Sequence, residues 1–287
     1  MPTADELPDG ITGEQVAEWY DRFRFYRHPP SRADLIAWLN QFGTEDVSIA
    51  AKLLDQVVII SDRDIQQGYH DALGALPGWH VDEARRKGRW AFVGLGGQAE
   101  SGPAMLHMFR EANNLTSDRN QGLFVTPADL PEMKLTAHDT VVFVDDFAGT
   151  GEQFSKRWAL YKELIVGEAN IYLFLAAATS QAMELLQPLD DITVQAQLVL
   201  PASAGIFNDA NEMFTDDEKD RVLRHCKKAD GRNPKGWGAC GLLLVISRKT
   251  PNNSIPVLHA QSRKWTPVFP RKMKLVGIPA PKAATCQ

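Results

Sequence analysis

Two adjacent carboxylates, Asp145 and Asp146, close the apolar run Val141-Val142-Phe143-Val144, and the small residues Ala148, Gly149, Thr150 and Gly151 follow after one spacer. An unbroken run of β-branched and aromatic residues is the composition of a buried strand. From Glu152 the spacing turns helical. A parallel strand ending in a tight turn that opens a helix is a place where ligands bind. Free backbone N–H groups at the helix start attract an anion, and glycines let a phosphate approach closely. Paired acids beside such a cradle suit vicinal hydroxyls or, through water, Mg²⁺. The alternative reading of the same residues is a βα turn without a ligand, its acids solvated.

Four apolar residues, two acids, a spacer and then Thr-Gly resemble the phosphoribosyl-pyrophosphate (PRPP) motif of type I phosphoribosyltransferases. The resemblance implies that Asp145 and Asp146 are the catalytic pair on the ribose 2′- and 3′-hydroxyls. It implies that Ala148, Gly149, Thr150 and Gly151 wrap the 5′-phosphate, and that Mg²⁺ is the cofactor, with the two acids as its water-mediated contacts. The chain departs from the family at one position. Some members carry an acid just before the threonine, as a base for the incoming nucleobase, where this chain has Gly149.

A second unit of the same kind precedes this one. Trp90 to Val93 reads as a strand, followed by Gly94-Leu95-Gly96-Gly97-Gln98-Ala99-Glu100-Ser101-Gly102-Pro103 and a helix through Asn113. By the resemblance, Gly96, Gly97, Gln98 and Glu100 form the loop that holds pyrophosphate. Gly94-x-Gly96-x-x-Ala99 also fits a dinucleotide fingerprint, which needs an acid at the end of the next strand. That strand, Leu123 to Thr126, ends in Thr126-Pro127, with Asp129 nearby, so the fingerprint is the weaker fit. The turn-rich stretch from Pro127 to Asp139 has the length of a lid. In the resembling family a mobile loop there closes over pyrophosphate, with Lys134 as the candidate contact.

The elements that must position these residues follow from periodicity. Helical patterns run from Thr12, from the candidate cap Ser31, over Asp46 to Ile60, and from Ser61 to about Gly74. These define a helical module, residues 1–80, with Arg22, Arg24, Arg27 and Arg32 among aromatic residues. Such a cluster fits nucleic-acid contact or an ordinary solvated face. Residues 81–287 form the second unit, with a C-terminal extension from about 201. Within it, strands over Ile171–Ala177 and Ile192–Leu200 alternate with helices at Glu152–Val166 and Ser180–Leu186. That order predicts an α/β, doubly wound parallel sheet of the type I phosphoribosyltransferase kind. Ser203 to Phe207 lies at a strand end and is expected to border the site.

Net charge is −5, but it is unevenly placed. From Arg221 onward there are 14 Lys and Arg against one acid, Asp230; the preceding 220 residues hold 17 against 35. A basic C-terminal part beside an acidic body suggests an anionic partner or packing of the tail on the body. The three cysteines show no metal-ligand spacing, and no apolar run reaches a bilayer-spanning length, so we expect a cytoplasmic protein with no membrane partner.

The extension carries the glycine-rich stretch Gly231–Gly241, the motif Thr250-Pro251-Asn252-Asn253-Ser254-Ile255-Pro256 and the segment Trp265-Thr266-Pro267-Val268-Phe269-Pro270-Arg271. This combination resembles the phosphoribosyltransferase-like effectors of bacterial conflict and antiphage systems, including retrons. The resemblance implies a defence role, with a winged-helix protein or reverse transcriptase as partner. Three functions stay open: an enzyme that uses PRPP or attacks a nucleotide at ribose C1; a non-catalytic nucleotide sensor that regulates a defence complex; and a nucleic-acid-associated subunit acting through the basic C-terminal part.

Overall fold

The computed structural model describes residues 6–96 and 101–271. Three helices open the chain: α1 (Gly13–Phe23), α2 (Arg32–Asn40) and α3 (Val47–Gln56). Thr12 and Ser31 start the first two with reciprocal caps, each hydroxyl accepting from a backbone N–H that Gln15 or Asp34 supplies. Such caps satisfy two of the helix's orphan donors. The expected helix over Asp46 to Ile60 stops early. Val58–Ile60 is instead a strand, β1, followed by α4 (Asp62–Gly74). The consecutive β-branched residues Val57 to Ile60 favour extended backbone. A distant segment, Leu244–Ile246, supplies the parallel partner for β1.

The main sheet has four parallel strands in the order β2 (Trp90–Gly94), β3 (Thr140–Ala148), β4 (Asn170–Thr179) and β5 (Thr193–Leu200). The sequence reading of a strand at Leu123 to Thr126 holds only in part. Phe124 makes an isolated parallel bridge to Phe92, and the Val125 N–H bonds the Phe92 carbonyl at 3.1 Å. The short stretch lies on the far side of β2 from β3. The chain thus leaves β2 in one direction, turns back, and passes to β3 on the other side. This reversal makes the sheet doubly wound and puts a topological switch point between the ends of β2 and β3.

Helices cover both faces. Helix α5 (Ser101–Ala112) and α4 share a core with Phe92, Val142, Val144 and Phe174. On the other face, α7 (Glu152–Leu164) and α8 (Ser180–Leu186) pack Phe154, Trp158 and Leu186 on Val93, Phe143 and Leu173. The short α6 (Leu130–Met133) precedes β3. Burial on both faces explains why β3 and β4 read as continuous apolar runs.

Residues after 201 add α9 (Asp216–Ala229), β6 (Leu244–Ile246) and α10 (Pro256–His259). They pack on the first three helices. Trp19, Phe23 and Trp38 share one core with Phe214, Trp265 and Phe269. The indoles of Trp38 and Trp265 both donate to the Val257 carbonyl at 2.9 Å, and Tyr26 Oη donates to the Pro270 carbonyl at 2.7 Å. His225 Nε2 lies 2.6 Å from Asp46 Oδ2, which also ties α9 to the start of α3. The first three helices and the segment after residue 201 therefore build one core, while α4 belongs to the sheet. No helix among the described residues is long and apolar enough to cross a membrane.

Candidate functional site

Strand β3 carries Asp145 and Asp146 to its C-terminal end, at the switch point. Asp145 Oδ1 accepts from Ser101 Oγ at 2.7 Å and from the Asp146 N–H at 2.9 Å. Asp146 Oδ1 accepts from the Phe147 N–H at 2.8 Å. The buried Tyr69 on α4 donates its hydroxyl to the Asp145 carbonyl at 2.7 Å. Both acids are half-buried. Burial, and next the neighbouring charge of Asp146, push the Asp145 carboxyl well above the ordinary carboxylate range, against the opposing pull of the Ser101 hydrogen bond. Two like charges this close resist full ionisation.

The loop after the acids leads straight into a helix start. Gly151 caps α7 at φ +74°, a backbone region that glycine enters without strain. No side chain caps this helix start, so its first N–H groups are left without a capping partner, an arrangement that can attract an anion. Thr179, at the end of β4, donates its hydroxyl to the Gly149 carbonyl and accepts from the Ala182 N–H, which fixes the loop against α8.

A cavity of about 530 Å³ opens over these residues. Asp145, Asp146, Ala148, Gly149, Thr150 and Gly151 all line it. Lys156 and Arg157, one turn into α7, also line it, and the Lys156 ammonium pairs with Glu152 at 2.6 Å. Of the pyrophosphate-loop candidates, Gly96 lies just past β2 at φ +89°. Gly97, Gln98 and Glu100 lie outside the described residues, as does Ala99 of the dinucleotide fingerprint. Asp129, the acid nearest the place where that fingerprint needs one, accepts the N–H and hydroxyl of Thr126, both at 2.7 Å, and serves its own turn.

Lys134 is placed elsewhere. It ends α6 with φ +45°, its carbonyl accepts from Arg89 at 2.8 Å, and it does not line the cavity. The adjacent Leu135 pairs with Val166 and Gly167, near the end of the sheet where Thr140 faces Asn170. From Thr140 to Asp146 a strand runs roughly 20 Å, so the stretch Pro127–Asp139 meets β3 at the end away from the acids. Ser203 to Phe207 also stays off the cavity, and Ile206 is fully buried in the core shared with the first three helices.

The opposite wall comes from the C-terminal extension, for which the sequence suggested no place at the site. Trp237, Lys249, Thr250, Pro251, Asn252, Asn253 and Arg271 line the cavity there. The contact is tight. A Cβ on Gly149 would lie 2.1 Å from Asn253 Nδ2, and one on Gly238 would lie 2.3 Å from Thr150 Cγ2. The space an acidic side chain would need at position 149 is thus filled by an asparagine carboxamide. Arg271 stands two residues after the fully buried Phe269. Its Nε is shut from solvent without a hydrogen-bond partner among the described residues. Burial lowers its pKa, and the charge of Asp146 acts in the opposite sense.

Among solved structures, the chain is similar to an orotate phosphoribosyltransferase from Aeropyrum pernix, with 16% identity over 48% of this chain and 71% of that one, and a TM-score of 0.29. It is also similar to a hypoxanthine-guanine-xanthine phosphoribosyltransferase, with 12% identity over 55% of this chain and 85% of that one, and a TM-score of 0.30. No curated protein matches. The model of one family does match, over residues 35–271, a span that takes in the acid pair, the glycine loops and the C-terminal wall alike; the chain belongs to the PRTase-CE family.

Proposed function

We propose that the chain binds a 5-phosphoribosyl ligand, PRPP or a nucleotide, and transfers or cleaves at ribose C1. One observation carries this reading: a carboxylate pair and an uncapped helix N-terminus line the same cavity at the sheet's switch point. Its volume, about 530 Å³, is in the range of small-molecule sites. The acid pair fits the two ribose hydroxyls. The carboxylate oxygens offer a diol several acceptors. The 5′-phosphate is assigned to the N–H groups from Thr150 to Gln153. The far side of the cavity, with Lys249 and Arg271, brings positive charge toward a leaving anion.

Among the described residues no group of three or more His, Cys, Asp or Glu gathers to hold a metal. Two carboxylates suit Mg²⁺ as hard oxygen donors only together with water and ligand phosphates. Bound in that way, Mg²⁺ would neutralise charge on a departing pyrophosphate. The chain's own residues hold the sugar and its phosphate still, which is much of what an oxocarbenium-like transfer needs. Membership of a defence complex, with a protein or nucleic-acid partner, is supported only by the resemblance of the C-terminal motifs.

The test is incubation with PRPP, Mg²⁺ and cell extract, followed by metabolite profiling. Pyrophosphate release or nucleotide cleavage is expected, and its loss in Asp145→Asn/Asp146→Asn. Unchanged pools would overturn turnover, and thermal stabilisation by PRPP without turnover would then favour a sensor.

A further inference from the structure

The chain has seven tryptophans, and five are 4% exposed or less. Trp79 is partly buried, packed on Trp90 and Phe92. Trp237 is 55% exposed and stands on the wall of the cavity opposite the phosphate loop. Its backbone is held firmly. The Trp237 N–H donates to the Asn252 carbonyl at 2.7 Å, and its carbonyl accepts from Asn253 Nδ2 at 3.1 Å. Glycines flank it on both sides, at φ +76° and +63°. Neither tolerates a side chain: a Cβ on Gly236 would lie 2.4 Å from the Asn253 carbonyl oxygen, and one on Gly238 would meet Thr150. The fold thus fixes this residue's backbone against both the Asn-Asn turn and the anion loop, yet leaves the indole largely uncovered.

An indole offers a large flat apolar face, and on a backbone already fixed by the fold less ordering is left to be met when a ligand stacks on it. The adjoining Asn252 is exposed and lines the same cavity. A carboxamide offers both a donor and an acceptor, the pair that reads the edge of a heterocyclic base. Position 149 has no acid to take a proton from such a base, because Asn253 occupies that space.

We propose that Trp237 and Asn252 form a base subsite, in which the indole stacks on the face of a planar nucleobase and the Asn252 carboxamide bonds its edge. The ligand class is then a base-bearing one: a nucleotide, or a free base entering beside a ribose phosphate. This rests on the reading that the acid pair and the α7 N-terminus hold a ribose phosphate.

Intrinsic fluorescence tests it with ribose 5-phosphate, AMP and UMP as probes, with Trp237→Phe and Trp237→Ala beside the wild type. Because five of the other tryptophans are buried and Trp79 does not line the cavity, quenching on stacking should come from Trp237 and vanish in both variants. Affinities are read in parallel by calorimetry. AMP or UMP should bind the wild type at least 10-fold more tightly than ribose 5-phosphate, since stacking on an aromatic side chain commonly contributes that much or more. Trp237→Ala should remove that advantage, Trp237→Phe should keep most of it, and ribose 5-phosphate should bind all three alike. Equal binding of nucleotide to wild type and Trp237→Ala, with ribose 5-phosphate still bound, overturns the base subsite and leaves the sugar-phosphate reading intact. Failure of all three probes on the folded wild type overturns that reading as well.

Discussion

Replacing Gly149 by alanine is a direct probe of how the C-terminal wall meets the acid loop. The residue is not in the left-handed region, so alanine meets no backbone strain there. The cost is steric. The new methyl would lie 2.1 Å from Asn253 Nδ2, 2.4 Å from its Cγ and 2.7 Å from its Oδ1. Asn253 is 6% exposed and held by the Trp237 carbonyl at 3.1 Å and Cys240 Sγ at 3.4 Å, so it cannot swing away freely. Overpacking of this kind costs about 1–3 kcal/mol, and loss of the Asn253 bond to the Trp237 carbonyl adds roughly 1 kcal/mol. We therefore expect Gly149→Ala to destabilise the chain by about 2–4 kcal/mol in denaturant unfolding. Asn253→Ala alone should cost about 1–2 kcal/mol through its lost hydrogen bonds. The double variant should be more stable than the sum, by on the order of 1 kcal/mol or more, because the clash and its victim are removed together. Additive costs would refute the contact and, with it, the claim that the wall seats on the loop.

Three further outcomes follow from the site. A raised Asp145 pKa means the folded chain binds the extra proton more readily than the unfolded one, so stability should fall as pH rises above the usual carboxylate value; Asp145→Asn should flatten that slope and be no less stable at neutral pH, read by urea unfolding across pH. Tyr69→Phe leaves the Asp145 carbonyl without its 2.7 Å donor and should cost about 1–2 kcal/mol, with weaker ligand binding, whereas wild-type behaviour would remove Tyr69 as a positioning residue. Arg271→Gln should weaken PRPP binding roughly 10-fold or more while affecting ribose 5-phosphate less, since a charge-assisted bond to the pyrophosphate end is lost; equal losses for both ligands would move Arg271 off that end.

The acid pair and its loop were legible in the sequence because the strand, the acids and the helix start are contiguous. Each residue type there carries a local reason: β-branched residues for a buried strand, glycine for the φ +74° turn at Gly151. The doubly wound sheet was legible for the same reason, since its strands β2 to β5 are separated by amphipathic helices. The opposite wall was not. Asn253 and Arg271 follow Gly149 by about a hundred residues or more, and nothing in their own surroundings points back to the acid pair. Only the small volume of Gly149 hinted that another segment comes close. Lys134 was put at the site by the family resemblance, whereas a stretch that runs directly into β3 meets that strand at its start, the end away from the acids. Val58–Ile60 was taken for helix because its partner β6 lies far along the sequence, and an apolar run alone does not separate strand from buried helix.

On the proposed reading, Asp145 and Asp146 hold a ribose phosphate at the start of α7. Calorimetric titration of PRPP with Mg²⁺ into the wild type and into Asp145→Asn/Asp146→Asn tests it most directly. Saturable one-site binding by the wild type, weakened about 100-fold or more in the folded double variant through loss of charge-assisted bonds to two hydroxyls, is the expected result. Equal affinity in the two proteins, or no binding by the wild type, would contradict it.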